Sequence, residues 1–246
     1  MRGRVNETIF IGWDPREAAA FAVARESCRR WLTRPIPVHG LVLDKLIACG
    51  LYKRPIERRA SAADRPVMWD VISNAPQSTE HANSRFLVPY MARSGWALFC
   101  DGDVLFRSNV ARLFEGLDPK FAVYCVKHQF APPIGVKMDG QQQTMYARKN
   151  WSSFLIFQCD HPSNRCLTAS IDMANTLPGR DLHRLCWLKD EEIGELDASW
   201  NFLVGHSDPD IDPDVVHFTD GVPDMVGYEN VPYADEWRAQ RDRWAA

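Results

Sequence analysis

Two acids separated by one glycine, Asp101-Gly102-Asp103, sit in the middle of the apolar stretch WALFCDGDVLF at residues 96 to 106. A strand buried on both faces excludes free carboxylates, so acids are expected where it emerges. Side chains alternate along extended backbone, so Asp101 and Asp103 can project the same way, while Gly102 lets backbone or ligand come close. Two adjacent carboxylates repel unless a cation joins them. Hard divalent ions such as Mg²⁺ or Mn²⁺ accept these oxygen ligands and keep positions open for substrate phosphates. Asp and Gly also dominate turns, so the triplet by itself fits a turn as well. A second chemistry-bearing residue, His217, lies in HFTDGVP at residues 217 to 223. An imidazole at a strand end can complete a carboxylate site, and it biases the metal toward Mn²⁺ over Mg²⁺. A single histidine is more often structural, and it gains meaning here from the acids it would join.

The elements that must position these groups read as an α/β alternation. Thr8 to Trp13 is a short buried strand, followed by Asp14-Pro15 as helix N-cap and first position and by an Ala-rich helix from Arg16 to Trp31. Pro37 to Leu43 reads as a second strand, completing a βαβ unit. Lys53 to Ser78 carries Pro55, Pro66 and Pro76 among charged residues and reads as a long loop. Ser78 to Arg93 reads as a helix with Pro89 near its end. Ala97 to Cys100 is the strand that delivers Asp101. Phe121 to Val126, Ser153 to Gln158 and Asp214 to Phe218 are further strands, and His161 to Leu177 and Tyr233 to Trp244 are helices.

Composition narrows the function classes. Hydrophobic residues make up 46% of the 246, enough for a substantial core, and nine Trp and twelve Phe leave aromatic surface to spare for packing against a sugar face. The net charge is −3 with acids and bases interspersed, which disfavours nucleic-acid binding through a broad positive face. The cluster Arg54, Arg58 and Arg59 reads as a solvated loop or a local phosphate contact. Seven cysteines without a C-x-x-C pair lie mostly in apolar stretches and support neither a zinc site nor a disulfide framework. No leader-like segment opens the chain and no apolar run reaches the ~18 residues a membrane span requires, so a cytoplasmic location is expected.

In this order of motifs the sequence resembles the GT-A fold glycosyltransferases, most closely family 8, the group of glycogenin and the lipopolysaccharide galactosyltransferases. The resemblance spans nearly the whole chain: IFIGWD near the start, Ser84-Arg85-Phe86-Leu87, FCDGDVLF, Asn150-Trp151-Ser152-Ser153, Asp190-Glu191 and HFTDG. It implies one α/β GT-A domain over 1–246, Rossmann-like, with a mixed, mostly parallel central sheet flanked by helices. Residues 1–106 would form the nucleotide-binding half and 107–246 the acceptor-side half.

The resemblance also implies roles. Asp101, Asp103 and His217 would bind Mn²⁺ or Mg²⁺, with Asp101 also near the donor ribose and sugar. Ile11, Gly12, Trp13 and Asp14 would line the base and ribose pocket, Arg85 would contact the donor sugar or diphosphate, and Gly221 would belong to the closing motif. Asp190 and Glu191 would lie beside the transferred sugar as the catalytic acids. The partners implied are a nucleotide-sugar donor, with uridine diphosphate as carrier, and a carbohydrate or glycoconjugate acceptor, with transfer at retained configuration. The family's Lys after the closing Gly is replaced by Val222, Pro223, Asp224 and Met225, so another cation, Arg85, Lys127 or one of the 54–59 arginines, would have to help neutralise the leaving diphosphate. Two other readings stand beside this one: a haloacid-dehalogenase-like phosphatase using Asp101 as nucleophile, and a nucleotide-sugar-binding protein without catalysis.

Overall fold

The computed structural model describes residues 6–60, 66–128, 148 and 150–245. Its centre is a six-stranded sheet in the order Ile193–Glu195, Val123–Cys125, Phe154–Gln158, Trp96–Cys100, Glu7–Gly12, Val38–Leu41. Glu7–Gly12 pairs in parallel with both Val38–Leu41 and Trp96–Cys100, and Val123–Cys125 pairs in parallel with Ile193–Glu195. Phe154–Gln158 alone runs against its two neighbours. The sheet is therefore mixed and mostly parallel, as expected, and its parallel strands deliver their carboxyl ends to one edge.

Sequence explains the central strands well. Trp96–Cys100 is buried at every position, so it can sit only between two other strands with both faces covered. One apolar layer gathers Phe10, Phe86, Phe99, Leu155 and Phe157; the opposite layer gathers Ile9, Ile11, Leu98, Cys100 and Ile156. The βαβ unit is closed by the helix Ala18–Trp31. Asp14 accepts a hydrogen bond from Arg16 N at 2.9 Å and caps the 3₁₀ turn Pro15–Glu17 that leads into it. A satellite sheet, Phe202–Leu203, Val215–His217 and Val104–Phe106, packs with this helix and with the helix Ala234–Ala245, whose Trp237 is wholly buried.

Two expectations are corrected. Residues 53 to 78 form an antiparallel meander, Ile56–Arg59, Val67–Asp70 and Ala75–Gln77, where a long loop was expected; residues 61–65 lie outside the described ones. The prolines that argued for a loop sit where strands tolerate them: Pro55 and Pro66 just ahead of strands, Pro76 on an edge strand. Arg54 is no surface cation. It is 4% exposed, forms an ion pair with the equally buried Asp70, and donates to Ala174 O at 3.0 Å and Leu177 O at 2.7 Å. The second correction concerns helices. Ser78–Arg93 begins as turns, and the helical part is the 3₁₀ turn Ser84–Leu87 followed by Val88–Ala92, which Pro89 opens rather than ends. His161–Leu177 likewise breaks into the short pieces Pro162–Asn164, Arg165–Thr168 and Asp172–Thr176.

The buried pair makes the meander's attachment testable. Arg54→Met should destabilise the protein by about 3–5 kcal/mol in urea unfolding, because Asp70 keeps a buried charge without a partner, and the double variant with Asp70→Leu should recover most of that loss. A single variant within about 1 kcal/mol of wild type would show that the pair does not anchor this sheet.

Candidate metal and donor site

Asp101 leaves the sheet immediately after Trp96–Cys100, its N–H donating to Ser153 O at 2.9 Å. Asp103 lies two residues on, and its carbonyl accepts the Phe218 N–H at 3.0 Å. That bond extends the antiparallel pairing of Val104–Phe106 with Val215–His217, where His217 stands opposite Val104. Two strand ends thus bring residues more than a hundred positions apart to one place. The ligand atoms of Asp101, Asp103 and His217 all lie within 4.8 Å of one another. Nε2 of His217 is 3.2 Å from Oδ1 of Asp103 and 4.0 Å from Oδ2 of Asp101.

Gly102 is required by this geometry. A Cβ there would lie 2.3 Å from the carbonyl oxygen of Gly12, and a Cβ on Gly12 would meet the ring of His81 at 2.5 Å. Where the neighbouring strands Glu7–Gly12 and Trp96–Cys100 end, the chain thus approaches itself closely through the backbone of Gly12 and Gly102.

The surrounding groups hold Asp101 ionised. Nη2 of Arg85 lies 2.9 Å from Oδ1 of Asp101, and Nε2 of His81 lies 3.3 Å from the same oxygen. Burial pushes the Asp101 pKa up, but the Arg85 charge, followed by the His81 contact and the His217 charge, outweighs it and holds the carboxyl far below its ordinary value. For His217 burial pulls the pKa down, yet the charge of Asp103 and its contact with Nε2 raise it above the ordinary histidine value overall. Sequence reasoning missed Glu17. Burial, then the negative charge of Asp103, pushes its carboxyl up to about 7.

A short turn indexes the whole cluster. In Asn150–Ser153, the Ser152 carbonyl accepts from Nη1 of Arg85 at 2.7 Å, and the Ser153 carbonyl receives the N–H of Asp101. Oγ of Ser153 accepts from Nδ2 of Asn201 at 3.0 Å. Oδ1 of Asn201 in turn lies 2.9 Å from Nδ1 of His217, while Nδ2 also reaches Nε2 of His128 at 3.0 Å. With Nδ1–H donated to Asn201, His217 presents Nε2 to the acids, the arrangement found around histidines that ligate metals. His128 is held neutral: burial, then the neighbouring His217, pushes its pKa down to about 4.

These residues suit a divalent cation. Oδ1 of Asp101 and Oδ1 of Asp103 are both buried and complete no well-directed hydrogen bond, although cationic partners stand close by. Two carboxylate oxygens and one imidazole nitrogen form a donor set for Mn²⁺ or Mg²⁺, and the nitrogen favours Mn²⁺.

Other expected site residues fall differently. Asp14 is buried with its carboxylate committed to Arg16 and to the Glu80 N–H at 3.0 Å, so it braces the loop and offers no free oxygen. Arg85 donates to Ala82 O and Ser152 O and pairs with Asp101, so in this arrangement it holds one of the two acids in place. Ile11 is fully buried in the core, whereas Gly12 and the half-buried Trp13 lie at the strand end beside His81. Gly221 is covered by the ring of Tyr228. Asp190 and Glu191 stand apart from the cluster. They form the turn entering the amino end of Ile193–Glu195; Asp190 is 85% exposed and bonded to Arg148 at 2.5 Å, and neither acid contacts Asp101, Asp103 or His217. Among the cations expected to replace the missing lysine, Arg54 is buried, Arg59 pairs with Glu57, Arg58 is exposed on the strand Ile56–Arg59, and Lys127 is half-buried, 5.9 Å from the Trp151 ring. His81 could have been found in the sequence: it precedes Arg85 by four, and the Arg85 N–H donates to its carbonyl at 3.2 Å, so both face Asp101.

No family model matches the sequence. Among solved structures, the fold is similar to the galactosyltransferase LgtC in complex with donor and acceptor sugar analogs, with a TM-score of 0.59 and 14% identity over 96% of this chain and 95% of that one. It is similar also to the glycosyltransferase GlyE of Streptococcus pneumoniae TIGR4, with a TM-score of 0.57 and 12% identity over 97% of this chain. The bifunctional glycosyltransferase WbbM gives a TM-score of 0.56 and 12% identity over 98% of this chain. The chain spans 60% of the GlyE structure and 52% of the WbbM structure. The α/β fold with its mixed sheet is thus that of GT-A glycosyltransferases. In sequence, Protein CDI of Arabidopsis thaliana is 37% identical over 242 residues, which cover 96% of this chain and 86% of that protein. At that identity and coverage, the chain belongs to the family of Protein CDI.

Proposed function

We propose that this protein is a metal-dependent glycosyltransferase that moves a sugar from a nucleoside diphosphate to an acceptor hydroxyl. The observation that carries the reading is the convergence of Asp101, Asp103 and His217 within 4.8 Å at the carboxyl end of the central strand. The fold shared with LgtC, whose structure holds donor and acceptor sugar analogs, supports the substrate classes. In the reaction the anomeric C–O bond to the diphosphate breaks, the acceptor oxygen takes its place, and the acceptor proton is released. A divalent cation, best Mn²⁺, would stabilise the charge that develops on the departing diphosphate.

The chain's own residues divide the remaining work. Asp101 and Asp103 supply oxygen ligands, and His217 supplies Nε2, oriented by Asn201. Arg85 and His81 fix Asp101 in its ionised form. Gly12 and Trp13, at the neighbouring strand end, form the nucleotide side, with uridine diphosphate as the carrier. Lys127 takes the part of the absent lysine toward the diphosphate. Residues 1–106 supply the nucleotide side, and 107–246 supply His217 and the acceptor side, with retention of configuration as the expected outcome. Asp190 and Glu191, lying off the cluster, have no place in this transfer step. The phosphatase reading loses ground because Asp101 is clamped by Arg85 and His81, which leaves a poor nucleophile.

Asp103→Asn should abolish the Mn²⁺-dependent binding of uridine diphosphate in titration calorimetry, while thermal unfolding without metal stays close to wild type. Binding that survives the substitution would remove Asp103 from the site.

Proton and metal compete for Nε2 of His217, whose pKa lies above the ordinary histidine value. Mn²⁺ affinity should therefore rise with pH through that region, by about tenfold from pH 6 to pH 8, with about one proton released per metal bound. Calorimetry in buffers of different ionisation enthalpy reads both quantities. An affinity flat across that range would mean that the imidazole is not a ligand.

A further inference from the structure

Far from the metal cluster, the last turns of two helices meet in a patch opposite in sign to the rest of the chain. Glu26, Arg29 and Arg30 of Ala18–Trp31 and Gln240, Arg243 and Trp244 of Ala234–Ala245 line an open groove of about 650 Å³. Glu26 is its one acid, already contacted by Arg25 at 2.9 Å and by Arg29 at 3.4 Å. Arg30 and Arg243 have no acidic partner among the described residues. Beside each of them in sequence stands a tryptophan in water: Trp31 is 41% and Trp244 52% exposed. The Arg30 guanidinium lies 5.8 Å from the Trp31 ring centroid. The helix Ala18–Trp31 starts beside the site and runs away from it for 14 residues, which places this patch roughly 20 Å from the acids.

We propose that this face docks the protein on an anionic lipid surface. Indoles prefer the boundary between headgroups and acyl chains, with an apolar ring and a polar N–H, and arginines alongside them pair with lipid phosphates and carboxylates. The half-exposed Trp244 in the lining, the half-exposed Trp31 next to Arg30, and arginines without acidic partners along an open groove match a flat interface better than an enclosed ligand. The net charge of −3 makes the contact oriented, because the rest of the surface is repelled where this patch is attracted. No helix among the described residues is long and apolar enough to cross a membrane; the attachment proposed is that of an interfacial face lying on the bilayer. The inference stands independently of the proposed reaction.

Vesicle co-sedimentation tests it with the intact chain. Wild-type protein should pellet with phosphatidylcholine vesicles containing about a third phosphatidylserine, remain in solution with phosphatidylcholine alone, and be released by raised salt. Arg30→Glu with Arg243→Glu should lower the bound fraction at least about tenfold, and Trp31→Ala with Trp244→Ala about fivefold. All four side chains are exposed, so thermal unfolding should not move. Absence of binding to the anionic vesicles, equal binding to both vesicle types, or binding indifferent to salt and to both double variants would overturn the proposal. Binding of soluble polyglutamate without binding of vesicles would overturn it too, by assigning the groove to an acidic soluble partner.

Discussion

Two like charges at the end of a buried strand form the constraint around which the molecule is organised. Asp101 and Asp103 cannot be left so close without compensation in a region of reduced dielectric. The structure meets the repulsion with Arg85 and His81 on one side and His217 on the other, each fixed by further hydrogen bonds. What these groups leave over is Oδ2 of Asp101 and Oδ1 of Asp103, 4.0 and 3.2 Å from Nε2 of His217, a cluster whose charge would suit a divalent cation. The Asn150–Ser153 turn ties the two sides together, because its carbonyls hold Arg85 and Asp101 and its Ser153 hydroxyl holds Asn201.

Legibility in the sequence follows from how local each signal is. Asp101, Asp103 and the strand before them could be read because an apolar run ending in acids is a statement about neighbouring residues. His217 could be read because it too closes a short apolar strand, although its meeting with the acids depends on the pairing of residues 104–106 with 215–217. Asn201 and Glu17 carried no such mark, since a polar residue in a turn looks alike whether it faces solvent or braces a histidine. Arg54 misled for the opposite reason: a charged residue among prolines suggests exposure, but its partner Asp70 is sixteen positions away and makes burial tolerable. Asp190 and Glu191 drew their expected role from an order of motifs alone, and they occupy an exposed turn apart from Asp101, Asp103 and His217.

Kinship and fold inform different parts of the account. Membership of the Protein CDI family rests on sequence over nearly the full chain, whereas the likeness to glycosyltransferase structures, at 12–14% identity, concerns the arrangement of the sheet and helices. The cluster of Asp101, Asp103 and His217 is what points to a chemistry. The stretch after Gly221 illustrates the difference: Val222 is buried and Asp224 pairs with Arg241 of the last helix, so this segment serves packing.

The central claim is that one divalent ion is bound jointly by Asp101, Asp103 and His217. Anomalous diffraction at the manganese edge, from crystals grown with Mn²⁺ and uridine diphosphate, reads this directly. The account predicts a single strong peak at coordination distance, about 2.0–2.4 Å, from an oxygen of each aspartate and from Nε2 of His217. A manganese ion held elsewhere, or bound without the histidine, would contradict it.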